Sequence, residues 1–215
     1  MTKYILQSGN VKDFPEKMKK YNEEVFRDFL SGGKNEKTQD ESVKVLFNFF
    51  SQKREDWEMK HDNYDKRLRE DVDLKLETKM AMPNEFAEQC RWADVIIFAG
   101  GDDDLLRCRM LKFDVPGIWE GKVVTGGSAG ASYLVNSFWT CDWRKIMDGK
   151  GIIPAKFIPH YKSDFGTDDP RGPIDWDKAY EELEGYGDKN LPIYALEEGD
   201  FVVFENGKEI TMNNK

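Results

Sequence analysis

Short apolar runs and amphipathic stretches alternate along most of this chain. Residues 3–7 are an apolar-centred segment closed by Ser8-Gly9-Asn10, which reads as a first strand. Met18, Tyr21, Val25 and Phe29 then recur at spacings of three and four, predicting an amphipathic helix that stops before Ser31-Gly32-Gly33. A polar loop, Lys34 to Glu41, leads into Val43–Phe50, whose density of apolar residues predicts a buried strand. Trp57, His61, Tyr64 and Leu68 mark one stripe of a highly charged second helix. A strand over Asp73–Glu77, a helix around Glu85–Cys90 and a near-continuous apolar strand over Asp94–Ala99 follow. Further strands are expected at Val123–Thr125, Phe157–Pro159, Ile193–Leu196 and Phe201–Phe204, and a frayed tail at Met212–Lys215. Strand alternating with helix is the pattern of an α/β protein with a parallel, doubly wound sheet. At 215 residues the expectation is one domain, 1–215, long enough to cover a sheet on both faces.

The strand at Val123 runs into Gly126-Gly127-Ser128-Ala129-Gly130, and Ala131–Val135 beyond it is helix-compatible. Strand, G-x-S-x-G, helix is the setting in which a serine becomes a nucleophile, because the turn holds its hydroxyl clear of the sheet. The alternative is a structural turn with a helix-capping serine. Serine needs a general base, and the chain has only two histidines. His61 lies on the amphipathic stripe and reads as a packing residue. His160 ends an apolar run and opens the polar loop Tyr161-Lys162-Ser163-Asp164, the position where open α/β sheets gather functional groups. His160 is therefore the candidate base.

A third group would orient the imidazole. Ala195-Leu196-Glu197-Glu198-Gly199-Asp200 joins two apolar runs through an acidic hairpin or strand-to-strand bend, and offers candidates. Asp164 and Asp142 compete with it. Gly100-Gly101, directly after a buried strand, would let backbone amides approach a ligand and complete an oxyanion hole beside the amide that follows Ser128. Competing readings are a phosphate loop, which Asp102, Asp103 and Asp104 would oppose, and a plain tight turn.

Charge narrows the partners. The net charge is −9, with 34% charged residues, so nucleic acid and anionic membrane surfaces are not expected partners. The first residues carry too short an apolar run for a signal peptide, and no stretch approaches a membrane span. Cys90, Cys108 and Cys141 are scattered without metal-ligand spacing, which suits a reducing cytoplasm and predicts no metal site. No cofactor is expected.

Taken together, Ala93–Gly101 with Leu105-Leu106, Gly126–Ala131, Ile158-Pro159-His160-Tyr161 and Ala195–Gly199 resemble the dipeptidase E and cyanophycinase family of serine peptidases. The order of serine, histidine and acid fits, at separations of 32 and 38 residues. The match spans about residues 93–205; residues 31–85 carry no family signature. The resemblance implies a flavodoxin-like sheet with helices on both faces, related to class I glutamine amidotransferases. It further implies Ser128 as nucleophile, His160 as general base, Glu198 rather than Glu197 as the acid, and the amides of Gly101 and Ala129 as oxyanion hole. Two departures stand out. Asp102 occupies a position where the family usually has Asn, and only Arg171 is loosely placed where the family holds an acidic substrate residue. The reading that results is a cytoplasmic peptidase or dipeptidase acting on short peptides through an acyl-enzyme, with homo-oligomers compatible. The alternatives are an esterase or amidase using the same site, or a silent amidotransferase-like binding module.

Overall fold

The computed structural model describes residues 1–9, 13–30, 42–205 and 207–210. The polar loop expected over Lys34–Glu41, the helix stop at Ser31-Gly32-Gly33, Asn10 and the tail Met212–Lys215 lie outside the described residues. In chain order the elements are β1 (Lys3–Gln7), α1 (Pro15–Val25), α2 (Arg27–Leu30), β2 (Val43–Asn48), α3 (Trp57–Asp71), β3 (Leu76–Met80), α4 (Phe86–Trp92), β4 (Val95–Phe98) and α5 (Asp103–Met110). Then come β5 (Val123–Gly127), α6 (Ala129–Leu134), β6 (Val135–Thr140), β7 (Lys145–Asp148), β8 (Ile153–Ile158), α7 (Trp176–Gly185), β9 (Ile193–Ala195), β10 (Phe201–Glu205) and β11 (Lys208–Glu209).

Seven strands form the main sheet in the order β11-β10-β1-β5-β4-β2-β3. The five from β1 to β3 are parallel, and β10 and β11 add an antiparallel edge. Phe47, Ile97, Thr125, Ile5 and Val203 are successive register partners and so share one face. Helices α1 and α3 cover that face. The Tyr21 hydroxyl of α1 lies 2.8 Å from Thr125 Oγ1, and the Tyr64 ring of α3 stands edge-on to Phe47 at 5.8 Å. The opposite face receives α4, α5 and α6. There Phe98 meets Phe86 and Tyr133, each at 6.3 Å between centroids, and Asn48 reaches Met110. The fold is thus a doubly wound, mostly parallel α/β sheet with helices on both faces.

A second sheet, β7-β6-β8-β9, stands beside the first, with β6, β8 and β9 parallel. Its β8 and β9 correspond to the strands expected at Phe157–Pro159 and Ile193–Leu196, whereas a separate sheet, β6, β7 and α7 were not expected from the hydrophobic pattern. Helix α7 closes this sheet through Leu183, packed with Trp139, Ile158 and Ala179. Lys156, 1% exposed, ends on the carbonyls of Leu183 at 2.9 Å and Glu184 at 3.1 Å, satisfying the C-terminal end of α7.

Several boundaries move for local reasons. The strand expected over Asp73–Glu77 begins at Leu76, since its register against β2 pairs Val43 with Leu76 and Phe47 with Met80. The strand expected to reach Phe50 ends at Asn48, whose Oδ1 accepts from Phe50 N at 2.8 Å and turns the chain. The helix expected at Ala131–Val135 starts at Ala129 and yields to β6 at Val135. The acidic joint after Ala195 is a strand-to-strand bend rather than a hairpin, because β9 and β10 belong to different sheets. Among the described residues, no helix is long and apolar enough to cross a membrane.

Candidate active site

Ser128 stands between β5 and α6 with φ 48° and ψ −113°, a conformation that L-residues seldom adopt outside functional turns. Its neighbours explain how the chain tolerates the bend. A Cβ on Gly126 would lie 2.3 Å from the carbonyl carbon of Gly130, and one on Gly130 would lie 2.6 Å from the carbonyl oxygen of Phe98. Only glycine at both positions lets α6 sit this close to β5 and β4. The Ser128 amide donates to Gln7 O at 3.0 Å, tying the turn to the end of β1.

Ser128 Oγ lies 3.0 Å from His160 Nε2, and His160 Nδ1 lies 3.2 Å from Glu198 Oε1. His160 follows β8, also at positive φ (56°), and is 4% exposed. Its ring stacks on Phe165, 4.3 Å between centroids. Its amide donates to Ser8 Oγ at 2.7 Å, and Ser8 Oγ in turn donates to Leu196 O at 2.8 Å. Gly9 O accepts from Gly199 N at 3.0 Å, and Lys17 Nζ donates to Glu198 O at 2.9 Å. The end of β1 thus links the histidine loop to the Glu198 bend. Ser8 and Gly9 are site residues that motif reading passed over; their only signal in sequence was Ser-Gly directly after an apolar strand.

The remaining candidates have distinct surroundings. Glu197 is exposed and makes no hydrogen bond to the imidazole, its carbonyl accepting from Asp200 N at 3.0 Å. Asp164 and Asp142 make no hydrogen bond to the imidazole. His61 meets the Phe47 ring edge-on at 5.6 Å, in keeping with a packing residue. Gly101 has φ 142°, and a Cβ there would meet Ser51 O at 2.5 Å. The adjoining Gly100 packs on the serine, since a Cβ on it would stand 3.2 Å from Ser128 Cβ. Ala129 opens α6, so its amide has no acceptor within the helix. Asp102 does not face the serine as a free acid; its carboxylate caps α5, accepting from Leu105 N at 2.8 Å. Arg171 is held away from the cleft around Ser128, its guanidinium on the Asp169 carboxylate and the Asp142 carbonyl.

Burial is the largest influence on His160 and presses its pKa below the usual histidine value, against the opposing pull of Glu198. The neutral imidazole is therefore the resting form at neutral pH, with Nε2 able to accept the hydroxyl proton if Nδ1–H donates to Glu198. Burial raises the Asp142 carboxyl, and its proximity to His160 opposes that rise. A serine hydroxyl, a neutral imidazole and a carboxylate in line can move a proton off the hydroxyl as it attacks a carbonyl.

No protein-family model and no curated protein sequence matches the chain. Among solved structures, it is similar to a peptidase from an acI-B1 Actinobacterium, with a TM-score of 0.58 at 19% identity over 95% of this chain and 83% of that one. It is also similar to a protein provisionally named peptidase E from Listeria monocytogenes EGD-e, with a TM-score of 0.63 at 15% identity over 99% of this chain and 98% of that one. By fold, the chain is similar to these peptidase-named structures and shares their α/β architecture.

Proposed function

We propose that this protein is a serine peptidase of the dipeptidase E type, with Ser128 as nucleophile, His160 as general base and Glu198 as the acid that orients it. The observation that carries the reading is the 3.0 Å contact from Ser128 Oγ to His160 Nε2, made by a serine at positive φ on a strand-to-helix turn. The peptidase names of the two similar structures support the same reaction class. In this reading Ser128 Oγ attacks the scissile carbonyl while His160 Nε2 takes its proton. The amides of Gly101 and Ala129 donate to the oxyanion, and Glu198 holds Nδ1–H and balances the imidazolium. His160 then protonates the departing amine, leaving an ester on Ser128. Water, deprotonated by the same imidazole, attacks that ester and frees the acid.

The substrate is a short peptide, because the cleft beside Ser128, of about 530 Å³, is of small-molecule size. Three free cysteines and the absence of any disulfide among the described residues support a reducing, cytoplasmic setting. Arg171, engaged with Asp169, is not retained as a substrate ligand in this proposal. A fluorophosphonate probe tests the nucleophile: wild type is expected to be labelled, and folded Ser128→Ala is expected to be silent. Undiminished labelling of that variant overturns the assignment. A dipeptide library run on unlabelled wild type beside Ser128→Ala separates peptide hydrolysis from ester or simple amide hydrolysis.

A further inference from the structure

The cleft that opens beside Ser128 runs under α1 and α3, over the sheet face bearing Phe47 and Ile97. Tyr21 and Tyr64 form its walls, and the hydroxyl of Tyr21 is already engaged with Thr125, so this stretch offers a surface for an apolar group. Three polar residues of α3 also line the cleft: Lys60, Asn63 and Arg67. They are spaced three and four apart and so lie on one stripe, with Asn63 about 5–6 Å, Cβ to Cβ, from each cation. Among the described residues the side chains of the three make no hydrogen bond or ion pair. In a chain of net charge −9, two uncommitted cations facing one cleft are an anion site by charge complementarity.

We propose that this stripe binds the free C-terminal carboxylate of a short peptide whose last residue is bulky and apolar, so that α3 selects the departing residue. This rests on the serine-peptidase reading for the position of the scissile bond. The carboxylate is assigned to the peptide's end rather than to an acidic side chain beside the scissile bond, because the charged side chain lining the cleft near Ser128 and His160 is that of Asp142. An acidic residue in that position would meet like charge. Within the cleft an anion is favoured beside Lys60 and Arg67, and the proposal seats the terminal carboxylate of the departing residue there. The site belongs to the part of the chain that carries no family signature.

The test is calorimetric binding to the Ser128→Ala protein, which removes turnover and leaves α3 intact. The probes are Ala-Phe, Ala-Phe amide, Ala-Gly and Asp-Phe amide. Ala-Phe is expected to bind about tenfold or more tightly than its amide, and more tightly than Ala-Gly. Adding Lys60→Gln and Arg67→Gln together is expected to weaken Ala-Phe by about tenfold and leave Ala-Phe amide unchanged. Equal binding of acid and amide, no binding of Ala-Phe, or indifference to the double substitution overturns the proposal. Asp-Phe amide binding more tightly than Ala-Phe also overturns it, by moving the recognised carboxylate to a side chain. Fluorophosphonate labelling of wild type decides the nucleophile separately. Labelling without dipeptide binding leaves the peptidase reading standing and sinks this one; binding without labelling leaves a carboxylate site on α3 but removes both the peptidase reading and the departing-residue role.

Discussion

The α-carbon of Gly9 lies against the ring of His160: a Cβ there would stand 2.3 Å from Cε1 and 2.9 Å from Nε2, the nitrogen that faces Ser128. Gly9 also has φ 127°, a conformation that favours glycine. A residue before the first helix, far from the serine in sequence, therefore limits where the imidazole sits. Gly9→Ala is expected to displace the ring and reduce turnover by about 10²-fold, the cost typical of a misplacement of about 1 Å. Steady-state kinetics with circular dichroism of the variant check this, and wild-type turnover in a folded Gly9→Ala protein would refute it.

The pH dependence follows from the burial of His160. Its pKa is lowered, so kcat/KM is expected to rise with pH through an inflection below about 6.5 and level off at neutral pH. An inflection above that value would mean that charge from Glu198 outweighs desolvation.

Glu198 and Glu197 are expected to separate sharply. Glu198→Gln retains the shape and removes the charge that steadies the imidazolium, so turnover should fall by up to about 10⁴-fold. Glu198 also pulls the His160 pKa upward, so the residual activity should titrate at a lower pH than in wild type. Glu197→Gln, at an exposed position with no hydrogen bond to the ring, should stay near wild type. Comparable losses in both variants would remove Glu198 from its role.

Asp103 offers a stability test away from the reaction. It is 7% exposed, accepts from Thr140 Oγ1 at 2.7 Å, and burial pushes its pKa up to about 7. The unfolded chain releases that proton near pH 3.9, so the folded state binds more protons between the two values. Stability from this group is full below about pH 4 and is lost as pH rises towards 7. Asp103→Asn should therefore gain in Tm relative to wild type as pH rises from 4 to 7, with the difference constant above that. A Tm difference that does not change with pH would contradict the assignment.

Much of this architecture was legible in the order of residues. The parallel strands are buried on both faces and so read as continuous apolar runs, as at Val95–Phe98, and the helices that cover them repeat at three and four, as from Trp57 to Leu68. The strand-to-helix turn at Ser128 was equally visible, because close packing at Gly126 and Gly130 excludes any side chain and leaves glycine as a sequence mark. The division into a second sheet, with β6 and β7, and α7 were not visible. Two of its strands, β8 and β9, did show as the apolar runs at Phe157 and Ile193, but β6 and β7 are only partly apolar, and a buried lysine, Lys156, looks like a solvated one until the carbonyls of Leu183 and Glu184 are seen around it. The site divides in the same way. Local chemistry nominated Ser128 and His160, and resemblance nominated Glu198, but sequence order cannot measure the distance between residues on separate loops. It was the parallel register of β1 with β5, and the bonds from Ser8 and Gly9 to the histidine loop and the Glu198 bend, that brought the three within hydrogen-bonding reach. The same packing turned Asp102 into a helix cap and carried Arg171 to Asp169, because each charge settled on the nearest partner that folding supplied.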